Sequence, residues 1–337
     1  MKVALVGCGA VAKNHLIALS AMPGIEIVAL CDVIPARAEA YRDAYAPSAA
    51  IYTDFLEMLD GAKPESLHIT TPHYLHADMT CEALSRDIHV FLEKPIAIHE
   101  DQIRRMLSAE KKSRGRINVC FQNRFNLATL TAKKLVAEHG GVTSARGMVT
   151  WKRTAPYYTE SGWRGSYTTE GGGVMINQAI HNLDLLLGFC GKPEEVIGTV
   201  SNHHLHDVIE VEDTCEVKIR FAGGAEAVFF ATTAFPLDAP NFLELFCADK
   251  TRVTIIGDTV LLNSEPVRDA EAFKDENAVT PGKQCWGNVH KKLIGMFYDA
   301  IASGAPMPVS LLSAADAVLV LLAAYRSCDR KVSIPEL

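Results

Sequence analysis

The sequence predicts an α/β protein of two domains, the second built on a large open, mainly antiparallel sheet. Three observations predict it. Short apolar runs alternate with helical patterns over residues 1–121; beyond Phe121 the pattern changes to strand-like runs separated by turn residues; and 337 residues are too many for one ordinary core. The division expected is 1–121 and 122–337.

At the start, KVALVG (2–7) is a short apolar run of strand character. GCGAVA follows, then a helical pattern through Leu19, then a second apolar run, IEIVALCD, ending at Asp32. This order is β-α-β with Gly-x-Gly-x-x-Ala at the first turn and an acid about 20 positions on, the fingerprint of a Rossmann dinucleotide-binding domain. Gly7 allows the tight turn, Gly9 lets the backbone approach a pyrophosphate, and Ala12 is small enough for close helix–strand packing. Ala10 and Val11 belong to the same cofactor-binding turn, where unpaired amides and the helix dipole favour a phosphate. Asp32 is expected to accept hydrogen bonds from the adenosine ribose and to repel a 2′-phosphate. NAD is therefore expected, with Arg37 leaving NADP possible.

The alternation continues through helices at AEAYRDAYA, FLEMLD and HADMTCEAL and strands at AIYTD, SLHIT and HVFLE. It implies a parallel sheet with helices on both faces, whose ligands bind beyond the carboxyl ends of the strands. Two sequences occupy those ends: TTPHYLH (70–76) and EKP (93–95). Lys94 precedes a proline, which pushes its backbone away from helix.

Composition narrows the partners. With 48% hydrophobic and 22% charged residues the chain is not a disordered one, and a net charge of −7 argues against a nucleic-acid surface. Nine scattered cysteines without a Cys-x-x-Cys pair read as reduced thiols, so a cytoplasmic compartment is expected. MKVALVGCGA has no signal-peptide h-region, which predicts that the mature chain starts there. The apolar run AVLVLLAAY (317–325) is too short for a membrane span and reads as one buried helix. HHLHD (203–207) groups three histidines in a loop-like stretch without a further ligand cluster, so no metal is expected.

In the second half, FQNRFN leads into a helix, ATLTAKKLVAEH, and then into the runs ARGMVTWKR, EVIGTVSNH, CEVKIRFAG, AEAVFFATTA, FLELFCAD and TRVTIIG. Their regular spacing predicts the antiparallel sheet. Between the first two lies GGGVMINQAIHNLDLL (171–186), an apolar helical pattern carrying Asn177, His181 and Asp184 at spacings of four and three. That spacing predicts one polar face on one helix.

GCGAVA, TTPHYLH, EKP, FQNRFN and GGGVMINQAIHNLDLL stand in an order that resembles the glucose-fructose oxidoreductase / inositol dehydrogenase / MocA family of nicotinamide-dependent sugar and polyol dehydrogenases. The resemblance implies a C-terminal α/β domain often used for oligomerisation, and hence a homo-oligomer, dimer or tetramer. It implies that the Lys94–Pro95 bond is cis and that Lys94 lies beside nicotinamide and substrate. Thr71, Pro72, His76 and Glu93 are expected on the cofactor side, with His73 as an even choice. His181 matches the catalytic histidine, and Asn177 matches a position more often occupied by Asp.

The chemistry wants these types. Histidine titrates nearest neutral pH and is the candidate base; Lys94 would stabilise developing alkoxide charge; Asn177 can fix a hydroxyl but cannot take its proton. Asp184 is a candidate to orient His181. Arg124, Trp163 and Arg164, with Asn126, Lys152 and Arg153 behind them, are candidates to hold substrate, apolar rings packing on sugar rings and guanidinium groups gripping hydroxyls or an anionic group. The function expected is an NAD(P)-dependent dehydrogenase of a sugar, sugar derivative or cyclic polyol. Two alternatives are an enzyme that recycles tightly bound NAD in a net hydrolysis or isomerisation, and a non-catalytic dinucleotide sensor.

Overall fold

A computed structural model describes residues 1–267 and 289–337. Within them the chain divides into two compact units. One comprises Met1–Gln122 with Val289–Ala314; the other takes in the described part of Asn123–Asn288 with Ala315–Leu337. The segment Val289–Ala314, which the sequence reading leaves in the second domain, thus belongs to the first unit.

The first unit runs β1 (Lys2–Val6), α1 (Ala12–Ser20), β2 (Glu26–Cys31), α2 (Pro35–Tyr45), β3 (Ala50–Tyr52), α3 (Phe55–Ala62) and β4 (Ser66–Ile69). It continues through α4 (His76–Ser85), β5 (His89–Leu92), α5 (Glu100–Lys112) and β6 (Ile117–Val119). Local chemistry marks the helix starts. Pro35 opens α2, the Asp54 carboxylate accepts the Glu57 amide at the head of α3, and Gln102 completes a capping box with His99 on α5. The strands pair in parallel in the order β3-β2-β1-β4-β5-β6. Val3, Leu5, Leu30, Leu67, Ile69, Val90 and Leu92 are fully buried, the near-continuous apolar pattern of strands covered on both faces. The order reverses between β1 and β4, where such sheets bind ligands.

The second unit follows with α6 (Leu127–Glu138), β7 (Val142–Thr150), α7 (Ala155–Thr159), α8 (Val174–Asn177), α9 (Ile180–Cys190), β8 (Pro193–Ser201) and β9 (Thr214–Phe221). Then come β10 (Glu226–Thr232), β11 (Phe242–Cys247), β12 (Arg252–Ile256), β13 (Thr259–Leu262) and β14 (Glu265–Pro266). After the residues left undescribed, α10 (His290–Ser303) packs on α1 in the first unit, and α11 (Leu311–Ser327) and β15 (Val332–Ser333) close the chain. The nine-stranded sheet has the order β14-β13-β12-β11-β7-β10-β9-β8-β15, antiparallel except where β7 meets β10. β9 alternates as a one-sided sheet requires, with Cys215, Val217, Ile219 and Phe221 buried and Glu216, Lys218 and Arg220 exposed. Helices α6 and α9 pack on this sheet, while Met148 and Val228 on its other face stay 41% and 52% exposed.

One helical element departs from expectation. The pattern over 171–186 forms two helices, α8 and α9, because the Ala179 amide reaches back five residues to the Val174 carbonyl and the next bond, from Asn182 to Ala179, spans three. Asn177 ends the first helix and His181 lies in the first turn of the second. Among the described residues no helix is long and apolar enough to cross a membrane. Eight cysteines are free thiols; Cys285 lies outside the described residues.

Candidate active site

The dinucleotide cradle is built from the glycine turn after β1. Gly7 has φ +90°, and a Cβ there would sit 2.7 Å from the Thr70 and Thr71 backbone, so conformation and space both demand glycine. A Cβ on Gly9 would meet nothing within 4 Å, which leaves open room beside the turn. Ala10 is exposed, Val11 forms the N-cap of α1 without a side-chain cap, and Ala12 is fully buried against the sheet. Asp32 accepts the Cys8 amide on Oδ2 at 2.7 Å and the Ile34 amide on Oδ1 at 2.8 Å, which aims the carboxylate across the turn. Thr70 Oγ1 donates to the Gly7 carbonyl at 2.6 Å, tying the end of β4 to the turn. An open backbone approach, an uncapped helix start and an anchored carboxylate fit a dinucleotide. Arg37 is exposed on α2.

Beyond β4 and β5 lie the other cofactor-side candidates. The Lys94–Pro95 bond is cis. Thr71 and Pro72 are half-buried at the end of β4. His76 is buried, its Nδ1 2.7 Å from the Pro95 carbonyl and its Nε2 2.9 Å from the Thr71 carbonyl. Both ring nitrogens are thus engaged with backbone, and His76 acts as a tie between two loops. Glu93 is buried too: Oε1 faces His15 Nε2 at 3.0 Å and Oε2 accepts the Lys94 amide at 3.2 Å. Burial pushes its carboxyl up, but the His15 hydrogen bond and the charges of His15, His290 and Lys94 prevail and hold it well below the usual carboxylate range.

In the second unit the polar groups gather around Asn177. Its amide donates to Glu170 Oε1 and, at 3.3 Å, to the Tyr157 hydroxyl, which also accepts from Gln178 Nε2 at 3.1 Å. Glu170 is 0% exposed and takes the Gly165 amide on its other oxygen at 2.6 Å. Burial pushes its carboxyl up to about 7, the amide donors and Arg164 only partly opposing. Glu212 is likewise raised to about 7 by burial; it accepts the Gly173 and Met175 amides at 2.8 and 3.1 Å, fixing the glycine run. The Arg164 guanidinium stacks on Tyr157 and on Trp163, 4.3 and 5.0 Å from the ring centroids.

Asp184 binds the Arg124 guanidinium, Nε to Oδ2 at 2.8 Å. That ion pair is largely buried. Arg153 pairs with Asp238 at 2.9 Å and lies over Trp151 and Tyr157. Lys152 is exposed, Asn126 is the N-cap residue of α6, and the amides of 203–205 converge on Asp213. Two residues of this site escaped the sequence reading, Tyr157 and Glu170. The glutamate directly before the three glycines was the available signal.

The parallel sheet and its glycine turn define a dinucleotide-binding class. Residues 1–121 match the model of the oxidoreductase family, NAD-binding Rossmann fold, and residues 129–259 match the GFO/IDH/MocA C-terminal domain. The chain belongs to the Gfo/Idh/MocA oxidoreductase family. Inositol 2-dehydrogenase of Salmonella paratyphi B is 32% identical over 138 residues, a stretch that covers 40% of this chain and only 41% of that relative. D-glucoside 3-dehydrogenase of Escherichia coli K12 is 28% identical over 76% of this chain and 77% of its own. The WlbA dehydrogenase of Chromobacterium violaceum, solved with NADH and UDP-GlcNAcA, is 28% identical and superposes with a TM-score of 0.84 over 99% of this chain and 96% of its own.

Proposed function

We propose that this protein is an NAD-dependent dehydrogenase that oxidises a secondary alcohol of a sugar, sugar derivative or cyclic polyol. The observation that carries the reading is a dinucleotide cradle whose sheet also bears a lysine, Lys94, at the carboxyl end of β5. Gly7, Gly9, Ala10, Val11, Ala12 and Asp32 would hold the cofactor, with Thr71 and Pro72 on its nicotinamide side. Bound NAD supplies the hydride acceptor. His181 takes the hydroxyl proton, and Lys94 stabilises the developing alkoxide. Asn177 orients the hydroxyl, held in place by Glu170 and Tyr157. Arg164, backed by two aromatic rings, grips the substrate, which favours a sugar derivative with a carboxylate or phosphate. The first unit is the cofactor domain; the second binds substrate and, through the open sheet face bearing Met148 and Val228, joins a homo-oligomer. Free thiols accord with a cytoplasmic setting.

The test is nicotinamide absorbance with NAD or NADP against inositols, aldoses, sugar acids and nucleotide-sugars. Reduction with the acidic classes is expected. Silence across the panel with NAD tightly bound would replace this reading with the recycled-cofactor one.

A further inference from the structure

Four metal-donor side chains come together in the first unit from four separate elements: His15 on α1, Glu93 after β5, Cys120 after β6 and His290 at the start of α10. One ligand atom from each lies within 4.8 Å of every other, and all four residues are buried. His15 Nε2 is 3.0 Å and His290 Nε2 3.8 Å from Glu93 Oε1. A tetrahedral site with bonds of about 2 Å sets nitrogen and oxygen donors roughly 3.3 Å apart, between those two values. We propose that His15, Glu93, Cys120 and His290 form a structural Zn2+ site.

The donor set selects the ion. Mg2+ and Ca2+ want oxygen ligands throughout, whereas two imidazoles, a thiolate and a carboxylate suit tetrahedral zinc. The thiolate and the carboxylate together neutralise the dication, so the buried cluster carries no net charge. Four protein ligands leave no open position, which makes the site structural. Its outer partners are in place: His15 Nδ1 is 2.8 Å from His68 Nδ1, and His68 Nε2 is 2.8 Å from the Tyr298 hydroxyl. With His15 Nε2 on the metal, Nδ1 carries the proton and donates to His68, whose Nε2–H donates to Tyr298. Cys120 Sγ lies 3.6 Å from Gln122 Oε1, and that amide, turned over, offers its N–H to a thiolate. The ion would join α1, the ends of β5 and β6, and α10, fixing the residue next to Lys94. Sequence spacing hides the site because its ligands stand at 15, 93, 120 and 290.

The test uses the whole chain, free of any affinity tag, incubated with Zn2+ or Co2+, desalted and analysed by elemental mass spectrometry and visible absorption. About one Zn2+ retained per chain is expected, lost in Cys120→Ala and His290→Ala but kept in His203→Ala and His206→Ala. Co2+ should give intense tetrahedral d–d bands and a thiolate charge-transfer band. No retained metal, or equal retention in both cluster variants, overturns the proposal. Should those variants fail to fold, the Co2+ spectrum of the unaltered protein decides, since weak octahedral bands without the thiolate transition also overturn it.

Discussion

Glu93 in the first unit and Glu170 in the second are both almost wholly withdrawn from water, yet their carboxyls are displaced in opposite directions. Burial raises both. Glu93 faces ionisable groups, His15 and His290 with Lys94 beside it, and their charges overcome the burial. Glu170 is held by neutral donors, the Gly165 amide and the Asn177 side chain, with Arg164 close enough to moderate the rise but not to cancel it. What a buried acid does is therefore set by the charge of its partners, burial being common to both. The first unit keeps a carboxylate; the second keeps a group poised to exchange a proton near neutrality.

Four measurements break or sharpen this contrast. The largest effect expected is on turnover: Lys94→Ala and His181→Ala, one variant in each unit, should each lower kcat by about a thousandfold or more while NAD binding stays nearly intact. Near-normal turnover in either would remove that side chain from the mechanism. Next comes Glu93→Ala, which strips His15 of its acceptor and should cost on the order of 3–5 kcal/mol in denaturant unfolding; a loss below about 1 kcal/mol would mean the cluster is not tightly paired.

The third concerns pH. Glu170 and Glu212 have folded-state values near 7 against an ordinary 4.5, so the folded chain binds these protons more tightly than the unfolded one. Their stabilisation is complete below about pH 4.5 and is lost as pH rises through about 7, by on the order of 3 kcal/mol for each. Glu170→Gln and Glu212→Gln should flatten the fall in melting temperature between about pH 5 and pH 8. An unchanged slope would show that neither group titrates there. The smallest effect expected is that of Asp32→Ala, which should weaken NAD by about tenfold and relax discrimination against NADP, read by titration with each dinucleotide.

Much of the fold was legible because its signals are local. The glycine turn, the acid ending β2 and the loops ending β4 and β5 encode backbone geometry within a few residues, and each occupies the strand end its sequence implies. The site was legible only in part. Asn177 and His181 were visible as residues, but the break between α8 and α9 was not, since apolar periodicity runs unbroken across it. The pairing of Arg124 with Asp184 spans 60 positions, and Tyr157 reaches Asn177 from 20 positions away. Such contacts depend on how elements pack, which no local pattern states.

His76 has a consequence of its own. Its ring lies between two carbonyl oxygens, those of Thr71 and Pro95, yet a neutral imidazole owns one N–H and satisfies one of them at a time. Burial lowers its proton affinity, so the doubly donating cation is disfavoured. The ring is thus a latch with a single bolt and two sockets. Each tautomer locks one of the loops that flank the cofactor cradle and turns a lone pair toward the carbonyl of the other, so a proton's choice of nitrogen decides which loop is free to yield first.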